Sequence, residues 1–388
     1  MRRNIAILGS TGSIGCNALE VIEALGDPYR AVALSAHRKL DKIAEQVRRH
    51  HPAAVAITGD ADPQAVSALR ELGVMVYEGP AGMVEMVQRP DIDVIVAAVV
   101  GAAGLPAVLA GVRAGKRLAL ANKESLVVAG SLLIPEARKH GVTILPVDSE
   151  HSAVFQALHC GHGKEIKRVI LTASGGPFRN TPRQQMERAT LEDALAHPTW
   201  RMGNKITIDS ATMFNKALEI IEACWLFDLP PEKVEVVIHP ESIVHSMVKF
   251  VDNSVIAQLG PPDMRTPIQY ALTYPDRAEG ISRRLDLTKP FALHFEPPDF
   301  DRFPALRFAY DVARRGGTLG AVLNAANEAA VEAFIAAKAS FGEISRLVET
   351  TIAEHRLQNS PSLDDLLEAD RWAREKVRSL LSKSLITS

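Results

Sequence analysis

The chain has 388 residues, 47% hydrophobic and 23% charged, a length that allows two or three domains whose cores need neither disulfides nor structural metals. Its formal net charge of −2 gives no electrostatic basis for binding nucleic acid or an anionic membrane, so any functional cation must act locally on a small anion. Cys16, Cys160 and Cys224 are far apart and in no CxxC arrangement, which argues against a disulfide framework or a cysteine-rich zinc site and suits a reducing cytosol.

The start, MRRNIAILGSTG, passes at once into a strand and a glycine-rich turn. No secretory signal is visible, and a cytoplasmic location is expected. The runs NIAILG, AVALSA, AAVAIT, VMVY, DVIVAAV, RLALAN and VTILPV alternate with stretches of helical spacing such as Leu19, Ile22 and Leu25. Strands without polar alternation, separated by helices, predict a Rossmann-like, doubly wound parallel sheet over residues 1–148. The uncharged run Val94 to Val112 contains Gly101 and Gly104 ahead of Pro106, and Gly111 beyond it. It therefore reads as a strand, a turn and a helix beginning near Pro106, not a membrane span.

After Asp148 the pattern changes. A strand ending in TASGGPF, a helix over TMFNKALEIIEACWLF, a strand VEVVIH and a hairpin with Asp252-Asn253-Ser254 at its tip predict a central α+β catalytic domain over 149–273. A polar, proline-containing linker over 274–298 leads to a helical C-terminal domain over 299–388.

The chemistry begins at Gly9-Ser10-Thr11-Gly12-Ser13-Ile14-Gly15, which comes directly after the first strand and opens the first helix. Glycines allow close approach to a pyrophosphate, and the helix N-terminus offers free N–H donors. The second strand ends in His37-Arg38-Lys39, without the acid that binds a ribose 2′-hydroxyl in NAD sites. Cations there suit the 2′-phosphate of NADP, although Arg38 and Lys39 also fit the solvated start of a helix.

Asn122-Lys123-Glu124 ends the sixth strand at the ligand edge of the sheet. Lys123 is placed to meet an oxyanion; the competing reading makes Asn122 a helix cap. PVDSEHS, residues 146–152, leaves the seventh strand at the same edge. If its backbone stays extended, Asp148 and Glu150 project to one side and invite a divalent cation; otherwise the acids simply open a helix.

Farther on, Asn215, Lys216 and Glu219 share a helical face, as does Glu222, so periodicity leaves open which acid is a ligand. Such a stripe also fits a solvated surface. Ser174-Gly175-Gly176 and Asp209-Ser210-Ala211-Thr212 are small polar clusters suited to phosphate or to ordinary turns. His197-Pro198-Thr199-Trp200-Arg201-Met202-Gly203 has the composition of a lid or of a loop pinned by its tryptophan.

In order, GSTGSIG, ALANKESLV, PVDSEHSA, LTASGGPF, HPTWRMGNKITIDSATMFNKALEIIEA, HPESIVHSMV, PPDMRTPIQYAL and LNAANEAAV make the whole chain resemble the 1-deoxy-D-xylulose 5-phosphate reductoisomerase family. The resemblance implies a cytosolic homodimer that binds a phosphosugar and neither nucleic acid nor membrane. It implies NADPH- and divalent-metal-dependent rearrangement and reduction of 1-deoxy-D-xylulose 5-phosphate to 2-C-methyl-D-erythritol 4-phosphate, a step of the non-mevalonate isoprenoid pathway.

Carried over by position, Asp148, Glu150 and Glu219 match ligands of Mg²⁺ or Mn²⁺. Ser174, Ser210, Asn215 and Lys216 match phosphate contacts; Lys123, Ser149 and His197 match substrate contacts; and His245 matches a residue near the substrate. Trp200 and Met202 lie in a flap over about 195–206. Thr11, Gly12, Ser13, Ile14, Asn122, Glu124 and Gly203 match NADPH contacts. At the 2′-phosphate the family pattern is Gly-Lys/Arg-Asn, whereas this chain has His37, Arg38 and Lys39; Arg38 keeps the charge. A dehydrogenase for another phosphorylated substrate, or a nucleotide-sensing regulator, would need no metal triad.

Overall fold

All seven apolar runs of the first half form strands in the computed structural model, which describes residues 3–60, 62–200 and 202–387. These are β1 (Arg3–Leu8), β2 (Tyr29–Ala36), β3 (Ala54–Ile57), β4 (Met75–Glu78), β5 (Val94–Ala97), β6 (Arg117–Leu120) and β7 (Ile144–Pro146). They pair in parallel in the order β4-β3-β2-β1-β5-β6-β7. Strands β3 and β5 are buried at every residue, as strands covered on both faces must be, while the edge strand β4 stays partly exposed. The order runs outward from β1 in both directions, so the crossovers change side between β1 and β5. At such a point the carboxyl ends of neighbouring strands leave a crevice. The Val94 to Val112 run divides as expected, with its helix at Leu105–Arg113. No helix among the described residues is long and apolar enough to cross a membrane.

Two compact units emerge. The first comprises Met1–Ser125, Leu133–Ser152 and Asp263–Arg283; the second comprises Leu126–Leu132, Ala153–Pro262 and Arg284–Ser388. This redraws the expected boundaries at 148 and 273. The helix Arg265–Thr273 belongs with the parallel sheet because it buries Ile268 and Leu272 there, and both Arg3 and Arg117 donate to the carbonyl of Tyr274 just beyond it, at 3.3 and 3.0 Å. The helix Lys123–Lys139 is interrupted at Ala129 (φ −130°, ψ 27°), and its residues 126–132 count with the second unit.

The second unit holds a mixed sheet of β8 (Ile166–Ala173), β9 (Val234–Ile238), β10 (Val244–Phe250) and β11 (Val255–Leu259), in the order β11-β10-β8-β9. β8 and β9 are parallel, and β10 runs antiparallel to β8 and β11. The predicted hairpin closes at Asn253 (φ 70°), with Asp252 accepting from the Ser254 N–H at 2.9 Å. The expected linker contributes a bridge of its own, between Glu296 and Ile238.

The C-terminal helices group with this unit. The helix Leu319–Ile335 is buried along most of its length, and its alanines and Gly320 permit close approach: a Cβ at 320 would lie 2.0 Å from the Val127 carbonyl oxygen. Inside this apolar helix Asn327 is fully buried and donates to Asp209 Oδ1 at 2.8 Å, while Lys205 meets Asp209 Oδ2 at 2.8 Å. Removing a partner from a buried acid leaves its desolvation uncompensated. Asn327→Ala is therefore expected to destabilise the second unit by about 1–3 kcal/mol. Urea unfolding monitored by tryptophan fluorescence measures this directly, because Trp200, Trp225 and Trp372 all lie in that unit.

Candidate active site

In the first unit, the turn over residues 9–15 leaves β1 at the crevice and opens the helix Ser13–Leu25. A Cβ at Gly15 would fall 2.5 Å from Ser10 Cα, so only glycine lets the helix start this close to the turn. Ser10 is fully buried and exchanges two hydrogen bonds with Gln46: its hydroxyl donates to Oε1 (2.7 Å), and its carbonyl accepts from Nε2 (2.8 Å). Gly12 and Ser13 are exposed, as donors to a phosphate must be. Arg38 and Lys39 are exposed at the end of β2. His37 is exposed beside them, with its Nδ1 3.2 Å from Thr58 Oγ1, and a Cβ at residue 59 would come within 3.0 Å of the ring. The imidazole is held against the end of β3.

Asn122 does what the capping alternative required. Its Oδ1 accepts from the Ser125 N–H at 3.1 Å, and its amide donates to the carbonyls of Val99 (2.6 Å) and Gly101 (2.9 Å) and to Glu124 (2.9 Å). The side chain thus ties the end of β6 to the loop after β5. Lys123 is buried, and its ammonium lies 2.5 Å from Asp148 Oδ2.

Of the two readings of PVDSEHS, the backbone does not take the extended one. β7 ends at Pro146 and a helix begins at Ser149, with the Ser152 N–H bonded to the Asp148 carbonyl at 2.8 Å. Asp148 therefore sits at the helix entrance and Glu150 in its first turn, as the alternative reading had it. Ser149 donates to Glu150 Oε2 at 2.6 Å. Local hydrogen bonding wins here because a strand end with Asp, Ser and Glu in sequence supplies the first-turn acids a helix favours.

In the second unit, sequence-distant residues converge on one ring. Ser174 Oγ and Ser210 Oγ each lie 3.1 Å from His197 Nε2. His197 Nδ1 accepts from the N–H groups of Thr199 (3.1 Å) and Trp200 (2.9 Å), so the ring proton resides on Nε2. Burial pushes this histidine below its ordinary value of 6.5, in keeping with a neutral ring. With Nε2–H directed at the serine oxygens, the hydroxyl protons are left to donate to an incoming anion. The backbone permits the cluster at Gly176 (φ 65°), where a Cβ would meet the Ser210 carbonyl oxygen at 2.7 Å. Ser210 lies in the helix Asn204–Ala211 and not in a turn.

Just beyond it, the helix Phe214–Phe227 begins. Its polar stripe is internal, not solvated: Lys216, Glu219 and Glu222 are all buried. Asn215 Nδ2 donates to Glu219 Oε1 at 2.5 Å, and Lys216 forms a short ion pair with Glu219 Oε2. His245, on β10, is buried, with its ring centroid 6.5 Å from that of the half-buried Trp200. Met202 is half-buried, and Gly203 precedes the helix Asn204–Ala211, its carbonyl accepting from the Thr207 N–H at 3.0 Å. Arg201, within the expected flap, lies outside the described residues. His239 is structural, its Nε2 accepting from the N–H groups of Ile243 and Val244, both at 3.1 Å.

Gln46 belongs to no motif that stood out in the sequence, and Asp209 and Asn327 lie in motifs that did but were given no role there. A glutamine among apolar positions of a helix, and asparagines inside an alanine-rich one, were the available signals, since buried polar groups are kept where they have partners.

Comparison with known proteins gives three family matches. Residues 5–130 match the family model for 1-deoxy-D-xylulose 5-phosphate reductoisomerase, residues 144–227 its C-terminal domain model, and residues 259–376 the DXP reductoisomerase C-terminal domain. Proteins named 1-deoxy-D-xylulose 5-phosphate reductoisomerase from Pelodictyon phaeoclathratiforme and Geobacter metallireducens are each 49% identical, over 384 and 383 residues, covering 98% of this chain and 100% of the relative. A solved structure of DOX-P reductoisomerase in complex with NADPH, fosmidomycin and magnesium matches with a TM-score of 0.94 at 41% identity, covering 98% of both chains. That of the Zymomonas mobilis reductoisomerase in complex with NADPH matches at 0.91 and 44% identity, covering 98% of this chain and 99% of the other.

The tautomer and burial of His197 make a pH prediction. Its charged form is disfavoured in the folded protein, so stability is unaffected above 6.5 and declines as pH falls from there through the lowered folded value. Nitrogen-15 NMR of labelled histidine should show Nε2 protonated and a midpoint below 6.5; a midpoint at or above 6.5 contradicts the geometry.

Proposed function

The chain belongs to the 1-deoxy-D-xylulose 5-phosphate reductoisomerase family, and we propose that it rearranges 1-deoxy-D-xylulose 5-phosphate and reduces the product with NADPH to 2-C-methyl-D-erythritol 4-phosphate. The observation that carries this reading is the succession of family matches from residue 5 to residue 376. A generic dinucleotide-binding dehydrogenase would share the glycine-rich turn but not the segments C-terminal to it.

The donor chemistry fits a divalent cation. Asp148, Glu150 and Glu219 offer carboxylate oxygens, the preferred ligands of Mg²⁺ and Mn²⁺, and Glu219 is an acid kept inside the fold. When bound, the cation supplies Lewis acidity toward carbonyl and hydroxyl oxygens. The buried Lys123 ammonium steadies negative charge developing on the substrate oxygens, and the Ser149 hydroxyl orients them. Ser174, Ser210, Asn215 and Lys216 hold the substrate phosphate. Thr11, Gly12, Ser13 and Ile14 would hold NADPH, with Asn122, Glu124 and Gly203 as further contacts.

His197 gives phosphate binding a mechanical consequence. The Nε2 side of its ring faces the serine hydroxyls, while its Nδ1 side holds the backbone of Thr199 and Trp200. An anion on the serines therefore fixes the ring that fixes the start of the flap carrying Trp200 and Met202. Binding energy from the unreactive phosphate is used to order the loop and exclude water. His245 lines the same region beside Trp200.

The working form is a cytosolic homodimer. Its support is the edge strand β11, where Val255 and Leu259 are exposed beside Val251; an unpaired apolar edge invites a partner strand or surface.

Activity and assembly each have a direct test. NADPH oxidation with deoxyxylulose phosphate should require Mg²⁺ or Mn²⁺ and stop on exhaustive chelation. Glu219→Gln should lower turnover by about 100-fold or more with NADPH affinity near wild type; the same result from Glu222→Gln alone would move the ligand one turn along the helix. Sedimentation should give a dimer that Val255→Lys shifts toward monomer, and a monomeric wild-type protein would contradict the proposed assembly.

A further inference from the structure

Lys42 stands on the helix Leu40–His50, immediately after the His37-Arg38-Lys39 stretch. It is half-buried, and its ammonium donates to the Thr11 carbonyl at 3.1 Å, on the glycine-rich turn itself. One turn farther along, Gln46 holds Ser10 through two hydrogen bonds. Residues 39, 42 and 46 have helical spacing, so one stripe of this helix faces the turn, with Lys39 at its open end. Among the described residues no carboxylate forms an ion pair with Lys42; Asp41 and Glu45, its acidic neighbours on the helix, are exposed.

We propose that Lys42 is a specificity-determining residue, a cation for the 2′-phosphate of the dinucleotide. The inference rests on the NADPH-binding reading above and deepens it. Three observations carry it. His37 is tied to Thr58 and the close backbone at Gly59, and its ring is turned to the end of β3. Lys42 is fixed by a hydrogen bond at the cofactor turn, which a solvated lysine is not. Its helix comes after β2, whose carboxyl end is the place where doubly wound folds recognise the adenosine ribose, whereas the pyrophosphate is met by the N-terminus of the helix after β1. The position of Lys42 therefore assigns it to the ribose phosphate. A compact ammonium with three donors can keep the Thr11 carbonyl and still donate to a phosphate oxygen.

The test is binding without turnover. Dissociation constants for NADPH and NADH are measured by fluorescence titration on the wild-type protein, Lys42→Met and Lys42→Arg. Lys42→Met should weaken NADPH by about 10- to 100-fold, the size of a lost charge-assisted hydrogen bond, and change NADH less than about twofold. Lys42→Arg should recover most of the NADPH affinity. Unchanged NADPH affinity in Lys42→Met overturns the proposal. So does an equal loss for both cofactors, which would place Lys42 on the pyrophosphate or on the shape of the turn. If the wild-type protein binds no NADPH, the cofactor reading falls with it; wild-type binding that Lys42→Met leaves intact sinks only the assignment of Lys42.

Discussion

A charged side chain taken out of water must meet an opposite charge or a dense set of hydrogen bonds, and each unit answers that demand where its chemistry lies. In the first, Lys123 meets Asp148 at the ligand edge of the parallel sheet. In the second, Lys216 pairs with Glu219, and Lys205 with Asp209. These pairs are weak arguments for stability, since desolvation offsets much of the attraction. Their consequence is positional: carboxylates and ammonium groups are retained inside the fold and oriented. A surface stripe of the same residues would present mobile side chains, screened by water and salt.

Around these charges, the polar clusters are built largely from neutral groups. The glycine-rich turn presents backbone N–H donors and hydroxyls, stiffened from beneath by Ser10 and Gln46. In the second unit, Ser174 and Ser210 are aligned by a neutral imidazole. A neutral His197 can accept two backbone N–H groups on one nitrogen while donating from the other; an imidazolium would have to give up the first role. The low proton affinity that burial imposes on the ring is thus the condition for its joining the serine cluster to the loop at Thr199 and Trp200.

Much of the fold was legible because its signals are local. Seven strands alternate with helices, and the periodicity and apolar runs that mark them survive any tertiary arrangement. The hairpin at Asn253 and the helix Phe214–Phe227 were equally plain. Errors arose where two local structures fit one segment, or where distant residues decide. Residues 146–152 can be written as a strand end or as a helix start, and the helix takes over at Ser149. The helix Arg265–Thr273 lies next in sequence to the β10–β11 hairpin yet belongs to the first unit, because its apolar face and the Tyr274 carbonyl find partners there.

The sequence by itself determined the doubly wound sheet, the nucleotide turn, the order of the motifs and the family, since each is carried by contiguous residues with fixed spacing. Tertiary structure alone decided which polar groups meet. Ser174, His197 and Ser210 come together across 36 residues, and Asp209 finds Asn327 across 118. It also set the His37 imidazole beside Thr58 and the Lys42 ammonium on the Thr11 carbonyl. The physical reason is that hydrogen bonds and ion pairs act over a few ångströms in space, whatever the distance along the chain.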